Sequence, residues 1–250
     1  VLFADIRNFT AISESLSPTE LKSVLNRYLS AITEVIFNHQ GTIDKYVGDM
    51  VMAFWNAPLD DPEHAQHGVQ AALAMQRRAR ALRAEFAQEG LPQFHIGIGL
   101  NTGLMNVGDM GSVYRRAYTV LGDAVNLAAR LESLTSFYQV PILVSDSTRA
   151  QTQDIPYRTI DRVRVKGRKA ALLISEPLDC PGHGKVSQSQ LQSYEQAFDA
   201  YQAGRWDEAK ARFEQLSASH PEEYLYQLYV QRLVHPPQCG PGAVHIHDSK

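Results

Sequence analysis

A chain of 250 residues with 44% apolar and 20% charged side chains has an ordinary globular composition, and its length allows one large domain or one domain with a small appendage. The formal net charge of −3 gives no reason to expect a nucleic-acid partner or an anionic membrane surface. The two cysteines have no metal-binding or redox spacing, and no apolar run reaches the roughly 18 residues that span a bilayer.

The sequence begins with Val1 inside an apolar run, and no signal peptide is visible. We therefore expect the chain to be a fragment of a longer protein and to form a cytoplasmic domain of it. An upstream sensor or a membrane segment would lie in the part of that protein outside this sequence.

The first predicted elements are a strand, a helix and a pair of strands. "VLFAD" (1–5) is typical of the end of a buried strand. "SPTE" (17–20) predicts a helix start, since Ser suits the N-cap, Pro the first turn and Glu the capping-box position. Apolar residues then recur on one helical face as far as Gly41, and two strands (42–47 and 50–55) follow.

The two strands form a predicted hairpin around Gly48-Asp49, and a second helix runs from "DDPEHA" (60–65) to Gly90. The order strand, helix, strand, strand, helix, strand predicts an α+β fold with a ferredoxin-like βαββαβ core and additional late strands. The remaining predicted elements are a strand and turn at 94–103, a strand at 104–112, a strand that enters a helix at 117–134, and strands at 140–145 and 163–178.

The predicted domain boundaries follow composition. A main domain over 1–178 is followed by a Gly- and Ser-rich linker over 179–190. Residues 191–234 resemble one tetratricopeptide-type helical hairpin with Gly204 at its turn, and 235–250 read as an irregular tail. Since one such hairpin cannot bury its own apolar face, we expect it to pack on the main domain or to pair with another copy.

In a ferredoxin-like sheet the third strand lies between the first and the second, so Asp5 and Asp49 would meet at one sheet end. These aspartates are either two exposed turn residues or a divalent metal site, because Mg²⁺ is typically held by one or two carboxylates together with substrate phosphates. The sharp turn in "IRNFTAIS" (6–13) would offer free backbone N–H groups to an oligophosphate. Together these features suggest nucleotide chemistry.

Four motifs carry a family resemblance that covers about residues 1–178. They occur in order and at sensible spacings, and they resemble the catalytic domain of class III nucleotidyl cyclases. The motifs are "FADIRNFT" (3–10), "KYVGDMVMAF" (45–54), "GIGLNTG" (97–103) and "YTVLGDAVNLAARLE" (118–132).

The resemblance implies an adenylyl cyclase that forms 3′,5′-cyclic AMP and pyrophosphate from ATP with two divalent cations, Mg²⁺ or Mn²⁺. Asp5 and Asp49 match the metal-binding aspartates, with the Ile6 carbonyl as a further ligand. Phe9 and Thr10 lie in the matching phosphate-binding turn.

The other implied roles concern the base, the ribose and the transition state. Lys45 and Thr119 match the pair that reads the purine, Asn126 the residue that orients the ribose, and Arg130 the arginine that stabilises the transition state. Lys166 matches a phosphate-binding lysine. Arg168 could take that role in another loop register, and the basic stretch could instead simply protect a sheet edge.

The base-reading pair favours ATP. A lysine can donate to N1 of adenine, whereas guanine presents a donor there. A threonine hydroxyl can donate or accept, so it can also take the exocyclic amine. In the family, guanylyl cyclases typically have Glu and Cys at these two positions and most adenylyl cyclases Lys and Asp. The pair Lys45 and Thr119 resembles the bacterial subclass IIIb.

The resemblance also implies a head-to-tail homodimer with shared sites, in which one protomer supplies the aspartates and the other supplies the base-reading, ribose and arginine groups. Lys45 and Asp49 would then serve different sites; the alternative is a local ion pair between them. Other readings are a catalytically silent, cyclase-like dimerisation or regulatory module and a guanylyl cyclase. A diguanylate cyclase has no support, because the hairpin reads "VGDMV" (47–51).

Overall fold

The computed structural model describes residues 1–165, 170–179, 186–236 and 244–247. They form two compact units, the first comprising Val1–Ser136 with Val140–Asp154 and the second comprising Phe137–Gln139 with the chain from Ile155 onward. Among the described residues, no helix combines the length and the apolar character needed to cross a bilayer.

The first unit follows the predicted order of strands and helices. Its elements are β1 (Leu2–Ile6), α1 (Phe9–Glu14), α2 (Pro18–Asn38), β2 (Thr42–Val47), β3 (Met50–Phe54), α3 (His64–Gln88), β4 (Ile96–Leu100), β5 (Asn106–Gly111), β6 (Arg116–Leu121), α4 (Asp123–Tyr138, whose last two residues group with the second unit), β7 (Ile142–Ser145) and α5 (Asp146–Arg149).

The strands of this unit form a sheet in the order β7-β4-β1-β3-β2. β1 lies antiparallel to both β3 and β4, β2 and β3 form a hairpin, and β7 runs parallel to β4. The α+β class and the prediction that the third strand lies between the first and the second are confirmed. β5 and β6 pair with each other in a separate two-stranded sheet.

Helix α2 begins as its sequence predicts. The Ser17 hydroxyl accepts the N–H of Glu20 at 3.3 Å, and the Glu20 carboxylate accepts the N–H of Ser17 at 2.9 Å, which together make a capping box. At the other end the left-handed residue is Gln40 (φ 62°) and not Gly41. Gly41 is needed for space, because a Cβ there would lie 2.5 Å from Cγ2 of Ile36.

Two glycines of β4 let helix α4 lie directly on the sheet. A Cβ on Gly99 would lie 2.1 Å from the backbone nitrogen of Glu132 and 2.4 Å from the carbonyl oxygen of Ala128. A Cβ on Gly97 would lie 2.3 Å from the hydroxyl of Thr135. The "GIG" sequence therefore fixes the position of α4, which carries two of the predicted site residues, Asn126 and Arg130. An apolar cluster of Phe3, Met52, Phe54, Val120, Val125 and Ala128 joins β1 and β3 to β6 and α4.

In its described residues, the second unit combines late strands with three helices. Strands β8 (Tyr157–Val165) and β9 (Leu172–Pro177) pair antiparallel. Helices α6 (Gln188–Gln202) and α7 (Trp206–Ser219) flank the predicted turn at Gly204, and α8 (Tyr224–Arg232) follows them. Within the region expected to be an irregular tail, β10 (His245–His247) pairs parallel with β8.

Contacts between the late strands and these helices set the unit boundary. The hydroxyl of Tyr194 on α6 donates to the carbonyl of Thr159 at 2.7 Å, and that of Tyr229 on α8 donates to the carbonyl of Ile160 at 2.6 Å. By packing, the second unit therefore takes in the chain from Ile155 together with Phe137–Gln139, and the domain boundaries expected at 178, 190 and 234 stay predictions.

Candidate active site

Asp5 and Asp49 lie together at one end of the sheet, as expected from the strand order. Asp5 is in β1 opposite Gly97 of β4, and Asp49 follows Gly48 in the turn between β2 and β3. A carboxylate oxygen of Asp49 accepts the backbone N–H of Ile6 at 3.1 Å. Residues from two distant parts of the sequence thus build one acidic site.

Electrostatics at this pair favour a bound cation. Burial raises the pKa of Asp5 to about 7. The hydrogen bond between Asp5 and Asp49 raises this pKa further, and so do the negative charges of Asp49 and Glu132. One buried carboxylate oxygen of Asp5, Oδ1, has no hydrogen-bond partner in the described part of the chain. A divalent cation would relieve the repulsion and give this oxygen a partner.

The donor set fits a hard cation that keeps open positions. Asp5, Asp49 and the carbonyl of Ile6 are all oxygen donors, which Mg²⁺ and Mn²⁺ accept. Over the described ranges, no group of three or more His, Cys, Asp or Glu side chains is placed to hold a metal ion. A cation at this pair would therefore also need oxygens from water or from a substrate phosphate.

Glu132 is a neighbour of this pair that the sequence did not indicate. Burial raises its pKa to about 7, with the positive charge of Arg7 opposing the shift and the negative charge of Asp49 adding to it. Its position follows from the close approach of α4 to β4, since its Oε1 would lie 3.0 Å from a Cβ on Gly97. The residue stands in the fourth motif, but motif position alone does not reveal this proximity.

Phe9 and Thr10 begin α1 immediately after the turn that follows β1. Asn8 makes that turn in the left-handed conformation, with φ 57° and ψ 32°. Phe9 is half-buried and Thr10 is exposed. The first N–H groups of a helix have no partners within the helix, so this turn can offer donors to an anionic ligand beside the aspartate pair.

Lys45 and Thr119 are brought together by a third residue, Asp44. Asp44 Oδ2 accepts the hydroxyl of Thr119 at 2.5 Å, and Asp44 Oδ1 lies 3.1 Å from the ammonium of Lys45. Lys45 forms no ion pair with Asp49 among the residues that the structure describes, so the local pair considered from sequence is not observed. Sequence reasoning missed Asp44, and its place in a strand beside Lys45 was the available signal.

Asn126 and Arg130 lie one turn apart on α4, which places them on one side of the helix. Asn126 is exposed and Arg130 is half-exposed. Within the described ranges, neither side chain has a hydrogen-bond or ion-pair partner, so both are available to a ligand.

The predicted site residues thus form separate groups within one chain. No described hydrogen bond or ion pair joins Asp5 or Asp49 to Lys45, Thr119, Asn126 or Arg130. Lys166 and its alternative Arg168 lie outside the described residues, and their phosphate-binding role stays a prediction.

Comparisons with known protein families and with individual proteins point to the same family. Residues 1–175 match the family described as the adenylate and guanylate cyclase catalytic domain. Adenylate cyclase 1 of Rhizobium meliloti is 40% identical over 176 residues, which are 70% of this chain and 26% of that protein. The chain therefore spans about a quarter of the length of this curated relative.

Solved structures show the same likeness. The adenylyl cyclase CyaB from P. aeruginosa superposes with a TM-score of 0.67 at 34% identity, over 72% of this chain and 93% of that chain. The guanylyl cyclase Cya2 superposes with a TM-score of 0.64 at 33% identity, over 74% of this chain and 94% of that chain. Structures of an adenylyl cyclase and of a guanylyl cyclase therefore both resemble this chain, so likeness of fold alone does not select a nucleotide.

Proposed function

Because the chain belongs to the family of adenylate and guanylate cyclase catalytic domains, we propose that it converts ATP to 3′,5′-cyclic AMP and pyrophosphate. The observation that carries this proposal is the half-buried pair of Asp5 and Asp49 beside a turn suited to phosphates, with one carboxylate oxygen of Asp5 that has no hydrogen-bond partner among the described residues. The adenylate cyclase relative at 40% identity supports the same activity.

Asp5, Asp49 and the carbonyl of Ile6 would hold the divalent cations, Mg²⁺ or Mn²⁺. When bound, these cations supply Lewis-acid stabilisation of negative charge at the reacting phosphates. The turn at Phe9 and Thr10 would bind phosphate oxygens through backbone N–H groups.

The remaining groups orient the nucleotide. Lys45 donates to N1 of adenine and Thr119 contacts the exocyclic amine. Asn126 holds the ribose so that its 3′ oxygen can attack the α-phosphate in line with the departing pyrophosphate. Arg130 stabilises negative charge that develops at the α-phosphate. Lys166 is proposed to bind phosphate as well.

We further propose that two copies of the chain build two shared sites. The separation of the aspartate pair from the other groups supports this, because a second copy placed head to tail could complete each site. The chain carries both halves of the residue set, so a symmetric dimer would hold two equivalent sites.

Guanylyl cyclase activity is the second candidate, and the likeness to Cya2 favours it. The base-reading residues argue against it, because a lysine meets a donor at N1 of guanine. A catalytically silent regulatory module is the third candidate, and the intact set of aspartates, asparagine and arginine argues against that.

A turnover assay tests the proposal. The purified chain would be given ATP or GTP with Mg²⁺ or Mn²⁺ over a range of protein concentrations, and cyclic nucleotide would be measured. We expect cyclic AMP, with a specific activity that rises with protein concentration as dimers form. Cyclic GMP as the main product would establish the second candidate, and no product from a verified dimer would establish the silent module.

A further inference from the structure

We propose that Asp44 is a positioning residue that sets base specificity by making the Thr119 hydroxyl a hydrogen-bond acceptor towards the purine. The inference rests on the proposed cyclase function and extends it to a residue outside the base-reading pair. Its basis is the hydrogen bonding of Asp44 within one chain, which requires no ligand to be present.

The side chain of Asp44 has no solvent exposure. One of its carboxylate oxygens, Oδ2, accepts both the hydroxyl of Thr119 at 2.5 Å and the backbone N–H of Val120 at 3.2 Å. A carboxylate can only accept hydrogen bonds, so the hydroxyl must be the donor in the first contact. Asp44 thereby fixes both the side chain of Thr119 and the strand that carries it.

This contact decides what Thr119 can offer to a base. A hydroxyl has one hydrogen, and here it is committed to Asp44, which leaves only lone pairs for another partner. Thr119 is 6% exposed, so its surroundings leave the side chain little freedom to rotate to another donor direction. The exocyclic amine of adenine can donate to such an acceptor, whereas the carbonyl of guanine at the same position cannot.

Asp44 also positions Lys45. The pairing of β2 with β3 shifts register between Ile43 and Lys45, which places Asp44 at a β-bulge. In a regular strand, neighbouring side chains point to opposite faces, and a bulge breaks this alternation. The carboxylate of Asp44 can therefore lie 3.1 Å from the ammonium of Lys45.

The contact with Lys45 leaves the ammonium able to bind a base. Oδ1 of Asp44 has no hydrogen-bond partner among the described residues, so its closeness to Lys45 is an ion pair without a directed hydrogen bond. The Lys45 side chain is 48% exposed, and its hydrogens remain available to N1 of adenine. One buried carboxylate thus orders both base-reading side chains.

The test is the ratio of kcat/KM for ATP to that for GTP, measured in the dimeric full chain. Asp44→Ala frees the Thr119 hydroxyl to donate to the guanine carbonyl, so we expect this ratio to fall about tenfold. Asp44→Asn keeps an amide oxygen that can accept from Thr119 and Val120, so we expect it to retain most of the ratio. A loss of structure alone would lower both kcat/KM values together.

Two further variants separate positioning from general stability. Asp61 is a buried carboxylate of the same unit that also accepts a backbone N–H, that of Glu63 at 3.0 Å, so Asp61→Ala is a matched control. We expect its ratio to stay at the wild-type value. In the double variant Asp44→Ala with Thr119→Asp, a carboxylate replaces the hydroxyl as an acceptor, and we expect the preference for ATP to return.

An unchanged ratio in Asp44→Ala would overturn the inference, and so would an equal fall in Asp61→Ala. If Asp44→Ala does not give a folded dimer, Asp44→Ser takes its place, because its shorter side chain cannot reach Thr119; the same fall is expected.

A failure of the proposed cyclase function can be told apart from a failure of the inference about Asp44. If the wild-type chain forms no cyclic nucleotide, its binding of 3′-deoxy-ATP and 3′-deoxy-GTP still reports base preference without turnover. A preference for the adenine analogue that Asp44→Ala weakens would then support the role of Asp44 alone. Equal weakening of both analogues, or no binding of either, would overturn it.

Discussion

Carboxylates lie partly or fully buried in both units of the molecule, and the groups around them differ. In the first unit, Asp5 and Asp49 lie against each other with Glu132 nearby, and the pKa of Asp5 is raised to about 7. In the second unit, Asp161 and Glu176 are at least as deeply buried, yet each has an arginine partner.

The arginines of the second unit neutralise its acids directly. Arg158 lies 2.7 Å from Glu176 and 3.0 Å from Glu223, and Arg232 lies 2.6 Å from Asp161. Although burial alone would lower the pKa of Arg158, the negative charges of Glu176 and Glu223 raise it. These contacts tie the late strands to the C-terminal helices.

Acids that lie beside arginines and acids that lie beside other acids serve different purposes. Acids that already have cationic partners hold elements of the chain together and need no ligand. Acids that repel one another persist only where something else compensates them, which here is the proposed cation and its nucleotide. Four predictions test whether this distinction holds.

The largest expected effect is on activity at the acid pair. Asp49→Asn removes a charged metal ligand, and we expect cyclase activity to fall on the order of 10³-fold or more while the fold is retained. Turnover with ATP and circular dichroism would measure the two properties. Asp60→Asn, at an exposed aspartate of the same unit, is the control. Retained metal-dependent activity in Asp49→Asn would remove Asp49 from the site.

The next largest effect is on stability in the second unit. Arg158→Met would remove the Arg158 guanidinium from the buried Glu176 and the half-buried Glu223, and we expect it to lower the free energy of unfolding by about 3–5 kcal/mol. Urea denaturation would measure the change. Arg205→Met, at an exposed ion pair with Glu208, should change stability by less than about 1 kcal/mol. Equal effects of the two substitutions would contradict the structural role of the buried pair.

A pH dependence should distinguish Glu132 from the paired acids. Its folded-state pKa of about 7 lies above the ordinary value of 4.5, so the folded chain binds more protons than the unfolded chain between these values. The free energy of unfolding of the metal-free chain should therefore fall as pH rises from about 4.5 to 7, with up to about 3 kcal/mol of that fall due to Glu132.

Unfolding measured across this pH range in the presence of a chelator would test that dependence. Glu132→Gln should remove the contribution of Glu132 and make the fall shallower, with the part due to the raised pKa of Asp5 remaining. Glu34→Gln, at an exposed acid of α2, should leave the curve unchanged. The same slope in wild type and Glu132→Gln would show that the burial of Glu132 has no energetic consequence.

The smallest expected signal is recovery of activity in mixed dimers. Chains with Asp49→Asn and chains with Arg130→Ala each lack one half of a shared site, so a heterodimer of the two contains one intact site. With equal amounts and free exchange, half of the dimers are mixed, and we expect about a quarter of wild-type activity. No recovery, with exchange verified by differently tagged chains, would contradict the shared site.

The start of α2 and the meeting of Asp5 with Asp49 could be predicted from the sequence, because they depend on a local capping motif and on the order of the strands. The Ser17 and Glu20 capping box defines the start of α2 within a few residues, and the βαββαβ order implies which strands neighbour one another. That order is sufficient to bring Asp5 to Asp49, since the sheet permits few arrangements. The four motifs then give the family without any coordinates.

Other features depend on contacts that no local pattern records. Asp44 lies at a β-bulge and its carboxylate is 3.1 Å from the ammonium of Lys45, whereas the alternation of a regular strand places neighbouring side chains on opposite faces. Glu132 comes close to the aspartate pair because Gly97 and Gly99 of β4 let α4 lie directly on the sheet.

The sequence by itself therefore determined the family, the order of elements and the residue types of the site. Only the tertiary structure decided which buried charges are compensated and that Asp44 contacts both Thr119 and Lys45. The physical reason is that hydrogen-bond direction and desolvation depend on distances between elements far apart in the chain, which periodicity does not encode.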